Sequence, residues 1–303
     1  MIYLLPFIFL ILVGCDYVEK MFVEEDLLDR PPSKRCGECH QKIYNQWMHS
    51  RHSVSWTSGE FVRSSKNRTK KKCLSCHAPL EVLPEKQPVV REKLREEGVN
   101  CFSCHYREET GSIHGPYEVF SPPHYSTYDP DYISSKICAG CHRKTYSQWK
   151  ASGSDRTCQN CHMPSKKDRL IQKFPYMYLH SKKELHNHRF PALKADRKDM
   201  ELSLEEKDGM VILRVKNTGI PHRFPAAQQG NPRVYITLKG ISGGNEVYTE
   251  TVMLTAKTGI DYMKTKEFYF FPDVKTERFS VIVERKLSYQ EKREVLFTAD
   301  FPD

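Results

Sequence analysis

The chain has 303 residues, which suits two domains, but only 39% of them are hydrophobic. This composition excludes a thick protein core, so something other than apolar side chains is expected to fill part of the interior. A formal net charge of +9 suggests an acidic partner or an anionic membrane surface.

The N-terminus is an apolar run, residues 1–13, interrupted only by Pro6 and ending in Leu-Val-Gly-Cys15. The run is shorter than the roughly 20 residues that a membrane-spanning helix needs, and it is typical of a signal-peptide core. The last four residues resemble a bacterial lipobox, although the preceding residues lack Lys or Arg. We predict a lipoprotein signal peptide over 1–14, acylation of Cys15 as a membrane anchor, and a tether over 15–33. An uncleaved N-terminal anchor is the alternative, and either implies export.

Ten of the eleven cysteines fall into five Cys-x-x-Cys-His motifs. In chain order the motifs are Cys36, Cys39 and His40; Cys73, Cys76 and His77; Cys101, Cys104 and His105; Cys138, Cys141 and His142; and Cys158, Cys161 and His162. This is the attachment signature of c-type haem: both thiols add to the vinyl groups of one porphyrin, and the histidine is held beneath the ring as the proximal iron ligand. Zinc also uses paired cysteines, but it does not require a histidine directly after every second one.

The motifs therefore predict five covalently bound haem c groups. Haem c is attached outside the cytoplasm, which agrees with the export signal. Each ferric haem with its propionates contributes about −1, which leaves the protein near about +4. A net charge this small does not indicate nucleic-acid binding.

An internal repeat with a period of 102 residues spans the first and fourth motifs. In each copy the motif histidine begins a predicted short helix, with Tyr44 and Trp47 or Tyr146 and Trp149 three residues apart on one face. We interpret these aromatic side chains as packing against a haem edge rather than relaying electrons.

Eight histidines lie outside the motifs, more than enough to fill the sixth position of five irons. The candidates are His52, His114, His124, His188 and His222, with His49, His180 and His186 as alternatives. Glycine and proline beside several of them would fix the backbone close to a flat macrocycle. The repeat places Ser154 where His52 would stand, so that ligand is either lost or supplied from elsewhere.

The run from Lys66 to Lys72 is strongly basic. We interpret it as a solvated surface loop, with a docking site for an acidic redox partner as the alternative.

From about Lys194 the cysteines vanish, and β-branched and aromatic residues alternate with polar ones between turns. The candidate strands are Glu201–Glu205, Met210–Asn217, Arg233–Lys239, Glu246–Leu254, Thr265–Phe271, Arg278–Glu284 and Glu294–Thr298. They predict an antiparallel β-sandwich of immunoglobulin-like type over 194–303. The fold class is therefore mixed: a cytochrome domain over 34–193, made of short helices and loops around haems, precedes the sandwich.

The Cys-x-x-Cys-His-x-x-x-Tyr-x-x-Trp pattern, the Ser50-Arg-His52 that follows it, and Gly98-Val-Asn-Cys101 downstream resemble the nitrifier tetrahaem cytochrome c family. Members of that family accept electrons from hydroxylamine oxidoreductase. The resemblance implies bis-histidine haems packed in near-contact pairs. This chain departs from the family in its fifth motif and its added β-domain, so the family's partner is not carried over. Residues 217–233 are similar to an Asn-x-Gly-x-x-His-x-Phe-Pro element of some bacterial multihaem proteins.

The leading functional prediction is an electron carrier that exchanges electrons with redox partner proteins in a respiratory or redox chain. The alternative is an oxidoreductase that acts on a small nitrogen or sulfur compound at one open haem, as the Ser154 position suggests. A third interpretation is a binding module in which the β-domain docks a partner that the haems serve.

Replacing Cys15 with Ala tests the predicted lipid anchor. The variant is expected to leave the membrane fraction or to remain unprocessed, because the thiol to be acylated is gone. Fractionation and intact-mass measurement detect both outcomes. A variant that stays membrane-bound and is cleaved as before would refute the lipobox.

Overall fold

A computed structural model of the chain describes residues 24–27, 29–119, 123–226 and 231–302. The predicted signal peptide and Cys15 lie outside these residues, so the lipid anchor stays a prediction. Within the described ranges, each helix is too short or too polar to cross a membrane.

The α-helices of the described residues have four to ten residues each. They are α1 (Ser33–Gly37), α2 (Gln41–Met48), α3 (Gly59–Ser64), α4 (Lys71–His77), α5 (Cys101–His105), α6 (Lys136–Ala139), α7 (Arg143–Ser152) and α8 (Cys158–His162). Local capping sets two of the starts: the Asn100 side chain accepts from Ser103 N before α5, and Thr157 with Asn160 forms a reciprocal capping box at α8. Helices this short depend on tertiary contacts for stability.

The β-strands of the described residues fall into four sheets. The strands are β1 (Tyr106–Arg107), β2 (Ser112–Gly115), β3 (Ser126–Tyr128), β4 (Ser165–Asp168), β5 (Lys183–His186), β6 (Met200–Lys207), β7 (Met210–Asn217), β8 (Arg233–Ser242), β9 (Asn245–Leu254), β10 (Thr265–Phe270), β11 (Arg278–Lys286) and β12 (Glu294–Pro302). Strands β6–β12 match the seven predicted strands, with ends that differ by at most four residues.

The chain divides into two compact units, each discontinuous in sequence. The haem-motif unit comprises 1–141 and 157–191, and the strand-rich unit comprises 142–156 and 192–303. The break at 191/192 lies two residues from the predicted boundary. Residues 142–156, which the prediction assigned to the cytochrome domain, belong instead to the strand-rich unit. One reason is local: Gln148 on α7 accepts a hydrogen bond from Arg223 N in the loop after β7.

The haem-motif unit contains only small sheets among its described residues. Strands β1, β2 and β3 form one sheet in that order, with β1–β2 antiparallel and β2–β3 parallel, and β4 pairs with β5 as an antiparallel ladder. Several of its buried side chains are polar, including Arg91, Arg107 and Asn100. The extended hydrophobic core cluster of the described residues lies wholly in the other unit.

The strand-rich unit is built from two antiparallel sheets, ordered β10-β7-β6 and β12-β11-β8-β9. Alternate residues of each strand face a shared apolar core, as Val234, Ile236 and Leu238 do on β8. Val281 on β11 pairs opposite Leu238, so the same face continues across the sheet. The positions of the strands and their antiparallel pairing confirm the prediction that residues 194–303 form antiparallel β-structure.

Replacing Leu213 with Ala tests this core. Leu213 is 0% exposed, so the cavity is expected to lower the free energy of unfolding of the strand-rich unit by about 2–5 kcal/mol. Hydrogen exchange of the β7 and β8 backbone amides measures that energy. The control, Val295→Ala, removes a side chain from a residue that is 54% exposed, and it should change stability by less than about 0.5 kcal/mol. Equal effects of the two variants would contradict the assigned core.

Candidate functional site

Three attachment motifs occupy single helical turns. In α4, α5 and α8 the two cysteines and the histidine stand at positions i, i+3 and i+4. With 3.6 residues per turn, these positions share one helix face, so both thiols and the imidazole project to the same side. The local geometry therefore suits attachment of one porphyrin edge with a ligand beneath it.

The first and fourth motifs share a different arrangement. Each spans the end of a short helix, and its histidine, His40 or His142, is the N-cap residue of the next helix, α2 or α7. The predicted repeat is confirmed as a structural repeat. The Tyr44 and Trp47 rings lie 5.7 Å apart at 36°, and the Tyr146 and Trp149 rings lie 5.5 Å apart at 34°.

Four motif histidines hold their Nδ1 atom against a backbone carbonyl oxygen. The pairs are His40 with Leu170 at 2.9 Å, His77 with Ser55 at 2.6 Å, His105 with His114 at 2.8 Å and His162 with Pro191 at 3.4 Å. A carbonyl oxygen can only accept, so the proton resides on Nδ1 and the lone pair on Nε2. This is the tautomer that an iron ligand requires, and such a bond also fixes the direction of the ring.

Burial keeps these imidazoles in the neutral form. Loss of hydration lowers the pKa of His40, His77, His105 and His162 below the ordinary value for histidine. The carbonyl hydrogen bond opposes that shift, but desolvation is the larger effect at each site. A neutral imidazole at pH 7 can donate its Nε2 lone pair to iron.

Cysteines of different motifs lie beside one another in the haem-motif unit. Hydrogen bonds join the thiols of Cys36 and Cys101, Cys76 and Cys141, and Cys138 and Cys158. The contacts bring together the first and third, the second and fourth, and the fourth and fifth motifs.

The remaining motif cysteines complete the predicted attachment set. Cys39, Cys73, Cys104 and Cys161 are half-buried, as the other motif cysteines are. Cys161 stands on α8, three residues after Cys158 and directly before His162. All ten cysteines of the described residues are free of disulfides, so every thiol remains chemically able to form a thioether. Attachment of haem at these ten positions stays a prediction.

The surroundings of the thiols set their acidity. Burial raises the pKa of Cys104 to about 12. The hydrogen bond with Cys101, followed by burial, raises the pKa of Cys36. The hydrogen bond with Cys138 instead lowers the pKa of Cys158 to about 6.

The donor set therefore fits covalent haem c. Paired thiols precede oriented, neutral imidazoles, and the Nδ1 atoms of His40, His77, His105 and His162 are bonded to carbonyl oxygens rather than to carboxylates. Thiol, imidazole and spacing are together what one porphyrin and its iron require.

Two predicted sixth-position histidines lie near motif histidines. The His188 ring lies 6.0 Å from that of His105, and the His124 ring lies 6.3 Å from that of His40. Burial, followed by a neighbouring motif histidine, lowers the pKa of both His188 and His124 to about 4. His188 donates from Nδ1 to the carbonyl of His186, so its Nε2 carries the lone pair.

His52 also belongs to this group of rings. It contacts the edge of Phe190 at 4.3 Å, and Phe190 lies 5.9 Å from His188. The His52 carbonyl accepts from Val99 N just before α5. Gly98 is required there: it has φ +61°, and a Cβ would lie 2.3 Å from the His52 carbonyl oxygen.

His114 has another role in this arrangement. Its Nε2 is 2.8 Å from Thr110 Oγ1 and its Nδ1 is 3.0 Å from Asp129 Oδ2, so both ring nitrogens are engaged. To bind iron the ring would have to leave one of these partners. Its backbone carbonyl instead receives the His105 hydrogen bond.

His222 stands in a tightly held loop of the strand-rich unit. The Asn217 side chain, 0% exposed, donates to the carbonyls of Ile220, His222 and Ile260. Arg223 forms a two-bond ion pair with Asp261 at 2.7 and 2.8 Å, which lowers the pKa of that carboxyl. His222 donates from Nδ1 to the Arg223 carbonyl. The loop thus presents His222 in the tautomer of a ligand.

The alternative histidines differ in burial. His49 is exposed and its Nδ1 is bonded to the Asn45 carbonyl at the end of α2. His186 is half-buried on β5 and donates to the Met163 carbonyl, next to the fifth motif. His180 is half-buried, and desolvation lowers its pKa.

Sequence reasoning missed Arg91, which is 5% exposed in the haem-motif unit. Its guanidinium donates to the carbonyls of Lys93, Pro79, Leu94 and Gly98 and to Ser103 Oγ inside the third motif. The buried Arg107 donates to the hydroxyl of the half-buried Tyr132, whose ring stacks on His105. Arginine in a polar stretch gives no sequence signal, because its partners are backbone atoms from distant segments.

Comparison with known proteins agrees with this chemistry. A family model described as cytochrome c554 and c-prime matches residues 35–106. The structure resembles the penta-haem cytochrome c552 from Thermochromatium tepidum with a TM-score of 0.63 and 16% identity, over 91% of this chain and 100% of that one. No curated protein sequence matches the chain.

Two further solved structures resemble parts of the chain. They are the chicken interferon gamma receptor alpha chain, with TM-score 0.23 and 10% identity over 34% of this chain and 49% of that one, and chicken MD-1 complexed with lipid IVa, with TM-score 0.22 and 12% identity over 36% and 84%. These scores carry no argument. The motifs, the family model and the shared fold support a multihaem c-type cytochrome with covalently bound haem c.

Proposed function

We propose that this protein carries five haem c groups and transfers electrons outside the cytoplasm of a bacterium. The observation that carries the proposal is the set of half-buried motif histidines whose Nδ1 atoms are held by backbone carbonyls. Paired thiols precede each histidine in sequence. The structural neighbour from Thermochromatium tepidum is a penta-haem cytochrome, which supports the number five.

Haem iron, when bound, supplies a one-electron couple that cycles between ferric and ferrous states. The chain's own residues hold the imidazoles in one direction, exclude water by burial and keep the attachment motifs close together. The thiol contacts between motifs support closely spaced groups, which electron transfer requires. The buried guanidinium of Arg91 adds a positive charge near the third motif, which favours reduction there.

The sixth ligands proposed are His52, His124, His188 and His222. Burial and ring contacts with motif histidines support His124 and His188, and the rigid loop supports His222. His114 remains a prediction that would require its ring to leave Thr110 or Asp129.

Export, the lipid anchor and the type of the strand-rich unit are part of the same proposal. If strands β6 to β12 are lettered A, B, C, C′, E, F and G, the two sheets run E-B-A and G-F-C-C′. This strand order supports an immunoglobulin-like sandwich. The family model over 35–106 supports kinship with the tetrahaem cytochromes of nitrifiers. Redox partner proteins on the outer side of the membrane follow from the predicted anchor at Cys15.

A second candidate is an oxidoreductase for a small molecule. A cleft of about 410 Å³ in the strand-rich unit is lined by residues 152–156, which include Ser154, and by Thr218, Gly219, Pro221 and Tyr262. Ser154 stands at the repeat position of His52, which favours an open coordination site. The Ser154 hydroxyl, however, accepts a hydrogen bond from Arg156 N, which is an ordinary contact for a residue in the turn after α7. A high-spin signal in the ferric spectrum of the purified protein would favour this candidate.

Mass spectrometry of the denatured mature protein tests the haem number. Five haem additions are expected on the polypeptide, because covalent thioethers survive unfolding. Four or fewer in a fully matured sample would refute the proposal.

Replacing His222 with Ala tests its proposed ligand role. If His222 binds iron, one haem in five should become high-spin or bind cyanide, and its potential should rise because a basic ligand is lost. Ferric absorption and electron paramagnetic resonance spectra measure this. The control is His49→Ala, an exposed histidine at the end of α2. An unchanged spectrum with a lowered melting temperature would make His222 a loop-stabilising residue only.

A further inference from the structure

A basic turn, defined here as residues 63–72, lies on the surface of the haem-motif unit; it runs from the end of α3 to the start of α4, directly before the second motif. It carries six cations and no acidic residue in ten positions: Arg63, Lys66, Arg68, Lys70, Lys71 and Lys72. All of them are exposed except the half-buried Arg68. The turn is therefore a compact source of positive potential.

The basic turn has a fixed and unusual backbone. Lys66, Asn67 and Arg68 have φ values of 52°, 53° and 64°, three successive non-glycine residues in the left-handed region, which side chains disfavour. The buried Ser65 holds them: its Oγ accepts from Arg68 N at 2.9 Å, and its carbonyl accepts from Lys70 N at 3.1 Å. Strained backbone of this kind persists where the surroundings over-determine it, and it is common at functional sites.

Acidic side chains scarcely neutralise this charge. Among the described residues, the ion pair that the basic turn makes is between Arg63 and Glu60, 3.8 Å apart, and Glu60 also pairs with Arg51 at 3.3 Å. Lys70 donates to the Ser64 carbonyl instead of a carboxylate. Most of the positive charge is thus available to an external anion.

A line of aromatic rings leads from the basic turn to the second motif. The Arg68 guanidinium lies over the Trp56 ring at 5.4 Å. The Trp56 ring is 5.8 Å from Phe61, and Phe61 stacks on His77 at 3.8 Å with an interplanar angle of 11°. His77 is the motif histidine whose Nδ1 is held by the Ser55 carbonyl.

We propose that the basic turn docks an acidic electron-transfer protein and that Trp56 and Phe61 couple the docked partner to His77. The inference rests on the proposed function. The ring contacts end at a candidate iron ligand, so they favour an electron-transfer protein as the partner. An anionic membrane surface is less favoured, because it would use only the positive charge. Exchange moves one electron from the partner to a ferric site of this chain, and no atom or proton is transferred.

Binding of an acidic flavodoxin to the haem-loaded full-length protein tests the docking. Lys71→Glu with Lys72→Glu should weaken binding at low salt by about tenfold or more and flatten the salt dependence. The matched control is Lys166→Glu with Lys167→Glu, the same charge change on exposed residues of β4. A milder variant, Lys71→Ala with Lys72→Ala, should show a smaller loss in the same direction. Calorimetry measures affinity, and intact mass confirms that haem attachment is unchanged.

Equal losses in the basic-turn and β4 variants would overturn the docking proposal. So would a basic-turn variant that keeps its flavodoxin affinity but loses binding to vesicles containing phosphatidylglycerol, since the partner would then be lipid. Reduction with dithionite distinguishes failure of the docking proposal from failure of the proposed electron-transfer function. A chain without redox-active haem shows no reduced bands with dithionite, whereas a haem chain with another docking site is fully reduced.

The ring contacts are tested by Trp56→Leu, with Tyr235→Leu as the control, since Tyr235 is a half-buried aromatic residue that also lies under an arginine, Arg293, in the strand-rich unit. Flavodoxin hydroquinone gives up one electron and becomes the semiquinone as one ferric site becomes ferrous. At saturating flavodoxin, Trp56→Leu should slow this step severalfold, and Tyr235→Leu should not. Equal rates in the two variants would overturn the coupling part of the proposal.

Discussion

The hydrogen bond from a motif histidine's Nδ1 to a backbone carbonyl is the interaction on which the haem-motif unit depends. It decides the tautomer, leaves the lone pair on Nε2 and prevents the ring from rotating about its own axis. The accepting carbonyls come from residues 9 to 130 positions away in sequence. Three of the four carbonyls, those of Ser55, Leu170 and Pro191, lie outside the helices and strands, so these irregular segments have a defined task, which is to bring a carbonyl to a motif histidine.

The two units meet the need for a stable interior in different ways. The strand-rich unit has an apolar cluster to which both of its sheets contribute, so hydrophobic burial stabilises it. The haem-motif unit instead buries Arg91, whose guanidinium donates to four carbonyls and one hydroxyl. A buried cation bonded in this way organises the surrounding backbone.

The loop that carries His222 is held in place by contacts within the strand-rich unit. Asn217 at the end of β7 binds three carbonyls, and Gly219 passes so close to Asp199 that a Cβ would lie 2.4 Å from its Oδ1. The Arg223–Asp261 ion pair closes the other side of the loop. These contacts give the half-buried His222 a defined direction, which a free loop would not provide.

The sequence by itself determined the features that depend on neighbouring residues. Thiol pairs and the histidine after them, such as Cys158, Cys161 and His162, are local because the three residues lie within five successive positions of one short helix. The alternation in β8 and β11 is likewise a local response to one buried face. Tertiary structure decided the pairings between distant segments. It engaged both nitrogens of His114, brought His188 beside His105, grouped α7 with the strands and placed Phe61 on His77. Such contacts join residues whose spacing in sequence carries no periodic signal, so only the folded chain reveals them.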